Sequence, residues 1–102
     1  MTDAQIQRVA SGQYRLRGVL DFDSVPGLSA RGPELFEETE TVQVDLAEVA
    51  RADSAGVALL VEWMQQARRR GKEIRYLNIP SQMLAIARVS GLDHILPLSR
   101  GS

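Results

Sequence analysis

The sequence predicts an α/β domain in which helices pack on a mixed β-sheet, and three observations lead to this class. First, TVQVDLAEV alternates apolar and polar residues with a period of two, which is typical of a strand. Second, the segment from Ser54 to Arg70 has apolar residues at the spacing of one helical face, namely Val57, Leu60, Val61 and Met64. Third, another strand and helix follow, and parallel neighbouring strands need such helical crossovers.

Composition limits both the size and the function of the protein. With 102 residues, of which 44% are hydrophobic and 25% charged, we expect a single domain spanning residues 1–102. A net charge of −1 disfavours a nucleic-acid-binding protein, which would normally carry a strong basic excess. Without cysteine, and with His94 as the one histidine, we expect neither a metal site nor a cofactor. No apolar run approaches the ~20 residues of a membrane span, so we expect a soluble protein, and the absence of cysteine fits a cytoplasmic location.

The first elements are interrupted by glycine and proline. QYRLRGVLDF alternates around Gly18 and predicts either two short strands or one strand with a bulge. In the next segment, DSVPGLSARGPELFEE, two prolines and two glycines break any long helix, so we expect a broken or late-starting helix that ends near Glu38.

The second half of the chain has a clearer pattern. The strand around Val42 to Leu46 leads into the helix that begins at Ser54, and Gly71 ends that helix. Three arginines in the last turn, Arg68–Arg70, either complement the helix dipole or form a phosphate-binding patch, and the first interpretation is favoured. EIRYLNIP then predicts a strand closed by Pro80, followed by a helix from Ser81 to the turn SGLDH.

The stretch RADSAGVALL could contain a catalytic serine or simply the start of a helix. Hydrolase serines lie in a G-x-S-x-G turn, whereas Ser54 is flanked by Asp53 and Ala55. There is also no phosphate-binding glycine loop. We therefore expect no enzymatic activity, and Asp53 or Ser54 is expected to cap the helix.

Capping alone does not account for the small residues and the wide apolar surface of this helix. Glycine in a first turn costs about 1 kcal/mol relative to alanine, and close approach of another chain would explain it. A second apolar stripe runs through Leu59 and Trp63, and Trp63 either wraps round the edge of the core or anchors an interface. The predicted partner-binding surface, with the last two residues on an exposed shoulder, consists of Asp53, Ser54, Ala55, Gly56, Leu59 and Trp63.

These residues resemble the STAS domain, a family named after sulfate transporters and anti-sigma-factor antagonists. The pattern D-[ST]-x-G-[VLI]-x-x-L after an apolar strand is matched by Asp53, Ser54, Gly56, Val57 and Leu60, and ARVSGLDHIL is similar to the ending of the family. The resemblance implies a STAS fold with a mixed sheet of about four to five strands and about three helices, packed mainly on one side. It also places the hydroxyl of Ser54 at the start of the central helix.

Two branches of the family suggest different partners. In anti-sigma-factor antagonists the serine matching Ser54 is phosphorylated by a partner kinase, and the phosphate blocks binding to the anti-sigma factor. In the Mla phospholipid-transport system, linked to outer-membrane lipid asymmetry and toluene tolerance, a cytoplasmic STAS subunit binds the ATPase subunit of the ABC transporter. The chain's ending after HILPL and its ALLVEWMQQARRRG helix favour the Mla branch, whereas a serine at position 54 is more usual in antagonists.

Overall fold

The structure is a computed structural model, and it describes residues 4–99. Positions 1–3 and 100–102 of the predicted domain lie outside the described residues. Within the described range, five strands form one sheet in the order β1-β2-β3-β4-β5 and four helices connect them. In chain order the elements are β1 (Gln5–Ala10), β2 (Gln13–Leu20), α1 (Val25–Ala30), α2 (Gly32–Leu35), β3 (Thr41–Ala52), α3 (Ser54–Arg69), β4 (Glu73–Leu77), α4 (Ser81–Val89) and β5 (Leu98–Ser99).

The sheet is mixed, because β1 is antiparallel to β2 while the other neighbouring strands are parallel. Each parallel pair is joined by a helical crossover: α1 and α2 together, then α3, then α4. The turns that follow β2, β3 and β4 therefore meet at one edge of the sheet, where ligand and partner sites of α/β folds usually lie.

Most predicted elements are present, with two additions at the ends of the chain. QYRLRGVL forms one strand, β2, whose pairing shifts next to Gly18, and the broken helix consists of α1 and α2. β1 and β5 were not predicted. In β1 only Ile6 is buried, and β5 has two residues, so neither segment carries an alternating apolar pattern.

β3 is longer than its alternating pattern indicates. After Leu46 the buried residues are Val49 and Ala52, a spacing of three rather than two. The pairing of β3 with β2 shifts register twice in this part, with extra residues on β3. Such bulges interrupt the alternation of buried and exposed residues, so the alternating pattern in the sequence ends before the strand does.

The core lies between the sheet and the helices. Its buried residues include Val44, Leu46, Val57, Leu60, Ile74 and Tyr76. Val61 and Ile86 are only partly buried and pack against this core. Tyr76 also fixes α3 to β4, because its hydroxyl donates a hydrogen bond of 2.6 Å to the carbonyl of Leu60.

None of the helices in residues 4–99 is both long enough and apolar enough to cross a membrane.

Candidate functional site

The turn between β3 and α3 is held by Asp53. This residue is extended, and its carboxylate accepts a 2.8 Å hydrogen bond from the backbone N–H of Ala55. Its own N–H donates to the carbonyl of Leu20 at the end of β2, over 3.1 Å. The sequence left Asp53 and Ser54 as alternative caps, and the structure assigns the cap to Asp53. The same residue ties the start of α3 to β2.

Ser54 is the first residue of α3, and it is exposed. Its hydroxyl does not form the cap, because the carboxylate of Asp53 accepts the N–H of Ala55, one of the free N–H groups of the first turn. Among the described residues, none forms a hydrogen bond with the Ser54 hydroxyl. The side chain therefore presents a hydroxyl to the surroundings at the positive end of a helix dipole.

Gly56 is small because of the protein's own core, not because another chain approaches it. A Cβ at this position would lie 3.0 Å from Cβ of Leu20 and 3.1 Å from Cβ of Ala52. These atoms are attached directly to the backbone of β2 and β3, so they cannot swing away. The expectation that Gly56 is small in order to let a partner approach is therefore wrong, because residues of the protein's own core require the glycine. Gly56 and Ala55 are both buried.

Leu59 and Trp63 do not lie on an exposed shoulder, and that expectation is also wrong. Their side chains are 1% and 0% exposed. The sheet covers one side of α3, and α1 and α2 pack against a second side. The wide apolar surface of α3 is therefore explained by two layers of the same chain. The indole N–H of Trp63 has no hydrogen-bond partner among the described residues.

An exposed aromatic residue, Phe22, lies in the turn that follows β2. The carboxylate of Asp21 accepts hydrogen bonds of 3.0 Å from the N–H groups of Asp23 and Ser24. The hydroxyl of Ser24 donates to the carbonyl of Val19 over 2.8 Å. This bonded turn holds Phe22 with 75% of its surface exposed. Sequence reasoning missed Phe22, although an aromatic residue between two aspartates in a turn is itself a signal.

Together these residues form what we call the edge surface: Phe22, Asp23, Asp53, Ser54 and Ala58. All five are exposed. The bond from Asp53 to Leu20 brings the two turns side by side, and Ala58 lies one helical turn beyond Ser54. The surface offers an aromatic side chain, two carboxylates and a hydroxyl, which suits a protein partner with an apolar and cationic patch. No three potential metal-ligating side chains converge within residues 4–99.

Comparisons with known proteins agree with this fold. The anti-sigma-B factor antagonist of Bacillus subtilis (strain 168) is 23% identical over 90 residues, which cover 88% of this chain and 83% of the antagonist. The structure of the anti-sigma factor antagonist SpoIIAA in its unphosphorylated form superposes with a TM-score of 0.74 at 20% identity, covering 97% of this chain and 88% of that one. An anti-sigma factor antagonist from Mycobacterium paratuberculosis gives a TM-score of 0.72 at 15% identity, covering 99% and 87%.

A family model described as "Mlab, STAS domain" matches residues 5–97. The chain therefore belongs to the STAS domain family, and its five-stranded mixed sheet with four helices in the described residues is the STAS fold.

Proposed function

From this membership we propose that the chain is a non-catalytic switch protein whose edge surface binds an anti-sigma factor or kinase and is released by phosphorylation of Ser54. One observation carries the proposal: Ser54 is exposed at the start of α3 while Asp53 provides the cap. The serine hydroxyl is therefore free for modification without loss of the helix end. The antagonist relatives support this choice of partner, and one similar structure is that of the Bacillus cell fate determinant SpoIIAA in the phosphorylated form.

A phosphate on Ser54 would act on binding and not on folding. A phosphate adds about −1.5 to −2 charges, and a helix N-terminus stabilises such an anion. On the edge surface the same phosphate would stand beside the carboxylate of Asp53 and near that of Asp23. The bulk of the phosphate would keep the partner from approaching the small side chain of Ser54 closely and would break its apolar contacts there, while the fold stays intact.

The second candidate is an accessory subunit of an ABC transporter that moves phospholipids. The description of the matching family model favours it. In this case the edge surface binds the ATPase subunit in the cytoplasm, supports assembly and activity of the transporter, and contributes to lipid asymmetry of the outer membrane. Ser54 is then a contact residue rather than a phosphorylation site.

The test compares two variants that add one negative charge at different positions of α3. Ser54→Glu changes the edge surface, whereas Gln65→Glu changes an exposed residue three turns away on the same helix. Both should retain the wild-type circular dichroism spectrum. In a titration against the purified partner, Ser54→Glu should weaken binding by roughly tenfold or more, about 1.4 kcal/mol, and Gln65→Glu should not. Equal binding by Ser54→Glu and wild type would place the docking surface elsewhere.

Two further measurements separate the candidates. Incubation with a cognate anti-sigma-factor kinase and ATP should add one phosphate at Ser54, detected by mass spectrometry, and Ser54→Ala should remain unmodified. Co-purification with an ABC ATPase from native membranes, without any phosphorylation of Ser54, would instead support the transporter subunit.

A further inference from the structure

The end of α3 that is remote from the edge surface borders a groove with an apolar floor. Met64 and Ala67 from α3 and Ile74 from β4 form this floor, and the groove has a volume of about 310 Å³. Ile95 and Pro97, in the segment that leads to β5, form the opposite wall. The side chain of Ile95 is 49% exposed, which is high for a large aliphatic residue beside a core.

Basic residues are prominent in the lining of this groove. Arg68 on α3 and Arg75 on β4 line the groove, and both side chains are exposed. Neither has a salt-bridge partner within residues 4–99. Lys72 also lines the groove, but its ammonium group donates to the carbonyls of Phe36 and Thr39 at 2.6 and 3.1 Å.

The described lining of the groove is basic on a chain that is slightly acidic. Arg68, Lys72 and Arg75 stand against one acidic lining residue, Glu73, which leaves two positive charges in excess. The whole chain has a net charge of −1. These positive charges lie beside an apolar floor, so a ligand that fits the groove needs an apolar group as well as negative charge.

We propose that this basic groove binds an acidic segment of a partner protein, with one apolar side chain on the floor and flanking carboxylates at Arg68 and Arg75. Guanidinium groups bind carboxylates through paired hydrogen bonds, and arginine clusters recognise acidic motifs in this way. A peptide fits better than a membrane surface because the floor is recessed: Met64, Ala67 and Ile74 are all buried. A flat bilayer would touch the rim and leave the floor uncovered.

The groove lies at the opposite end of α3 from the edge surface. α3 has 16 residues, which corresponds to a length of about 24 Å. Two partners could therefore bind the same chain at once, one at each end of α3. The basic groove would make the protein an adaptor whichever partner occupies the edge surface.

The experiment begins with a selection of random heptapeptides, displayed on phage, against the wild-type chain. Selected peptides should carry an aliphatic or aromatic residue flanked by Asp or Glu. Binding of a labelled selected peptide is then measured by fluorescence anisotropy. Arg75→Glu should weaken it by roughly tenfold, whereas Arg17→Glu, a matched change at an exposed arginine of β2, should leave it unchanged. Both variants should keep the wild-type circular dichroism spectrum.

Three results would overturn the proposal. The first is a selection that enriches no peptides, or peptides without acidic residues. The second is equal affinity of the selected peptide for Arg75→Glu and wild type. The third is that no acidic peptide binds, while wild type, but not Arg75→Glu, sediments with phosphatidylglycerol vesicles. This result would assign the groove to a membrane surface. Perturbation of the amide signals of Met64, Ala67 and Ile74 in an NMR titration would support the groove as the binding site.

Discussion

The two sides of α3 differ sharply within a few residues. On the outer side, Ser54 and Ala58 are exposed and belong to the edge surface. On the inner side, Gly56 packs against β2 and β3, and Trp63 is fully buried in the core. The two small residues of this motif therefore have different environments. Gly56 is confined by core residues, whereas Ser54 lies on an open surface.

The largest expected effect concerns the inner side. Trp63→Ala should lower the free energy of unfolding by about 3–5 kcal/mol, because it removes a fully buried aromatic side chain. Gln65→Ala, on the outer side of the same helix, should change it by less than about 0.5 kcal/mol. Urea denaturation of both variants measures the difference. Similar stabilities of the two variants would mean that Trp63 is not buried in solution.

The next effect tests the close approach at Gly56. In Gly56→Ala the new methyl group meets Leu20 and Ala52 at 3.0 and 3.1 Å, and such overpacking typically costs about 1–3 kcal/mol. This exceeds the gain of about 1 kcal/mol in helix propensity, so we expect a net loss of stability. Gly27→Ala is the matched control, because a Cβ there meets nothing within 4 Å. A stabilised Gly56→Ala variant would show that the core does not require glycine at this position.

A smaller effect separates the cap from the exposed hydroxyl. Asp53→Ala should cost about 1 kcal/mol, because the N–H of Ala55 loses its acceptor. Ser54→Ala should cost much less, since Ser54 does not provide the cap. Thermal unfolding monitored by circular dichroism tests the order of the two variants. The reverse order would return the cap to Ser54.

The smallest effect appears only at alkaline pH. Burial raises the pKa of Tyr76 well above its ordinary value of 10.0. The native state thus retains the proton more strongly than the unfolded chain, so this contribution to stability is present below about pH 10 and is lost as the pH rises further. Between about pH 9 and 11, Tyr76→Phe should lose less stability than wild type, which is checked by measuring the free energy of unfolding of both proteins at each pH. Tyr14→Phe should give a smaller change in the same direction, because burial raises the pKa of the partly buried Tyr14 less than that of Tyr76.

Much of the fold could be predicted from the sequence because the signals are local. The alternation from Val42 to Leu46 and the spacing from Val57 to Met64 specify a strand and a helix without knowledge of neighbours. Glycine and proline marked the break between α1 and α2. The motif around Asp53 and Ser54 also identified the turn that the structure places at the carboxyl edge of the sheet.

What the sequence by itself determined was therefore the order of the central elements, the STAS family and the position of Ser54 at the start of α3. Only the tertiary structure decided which groups meet across the fold: the packing of α1 and α2 against α3, the contact of Gly56 with Leu20, and the exposure of Phe22 beside Asp53. The physical reason is that periodicity shows which residues share a face of an element. It does not show which of several elements covers that face, because this depends on contacts between residues far apart in the chain.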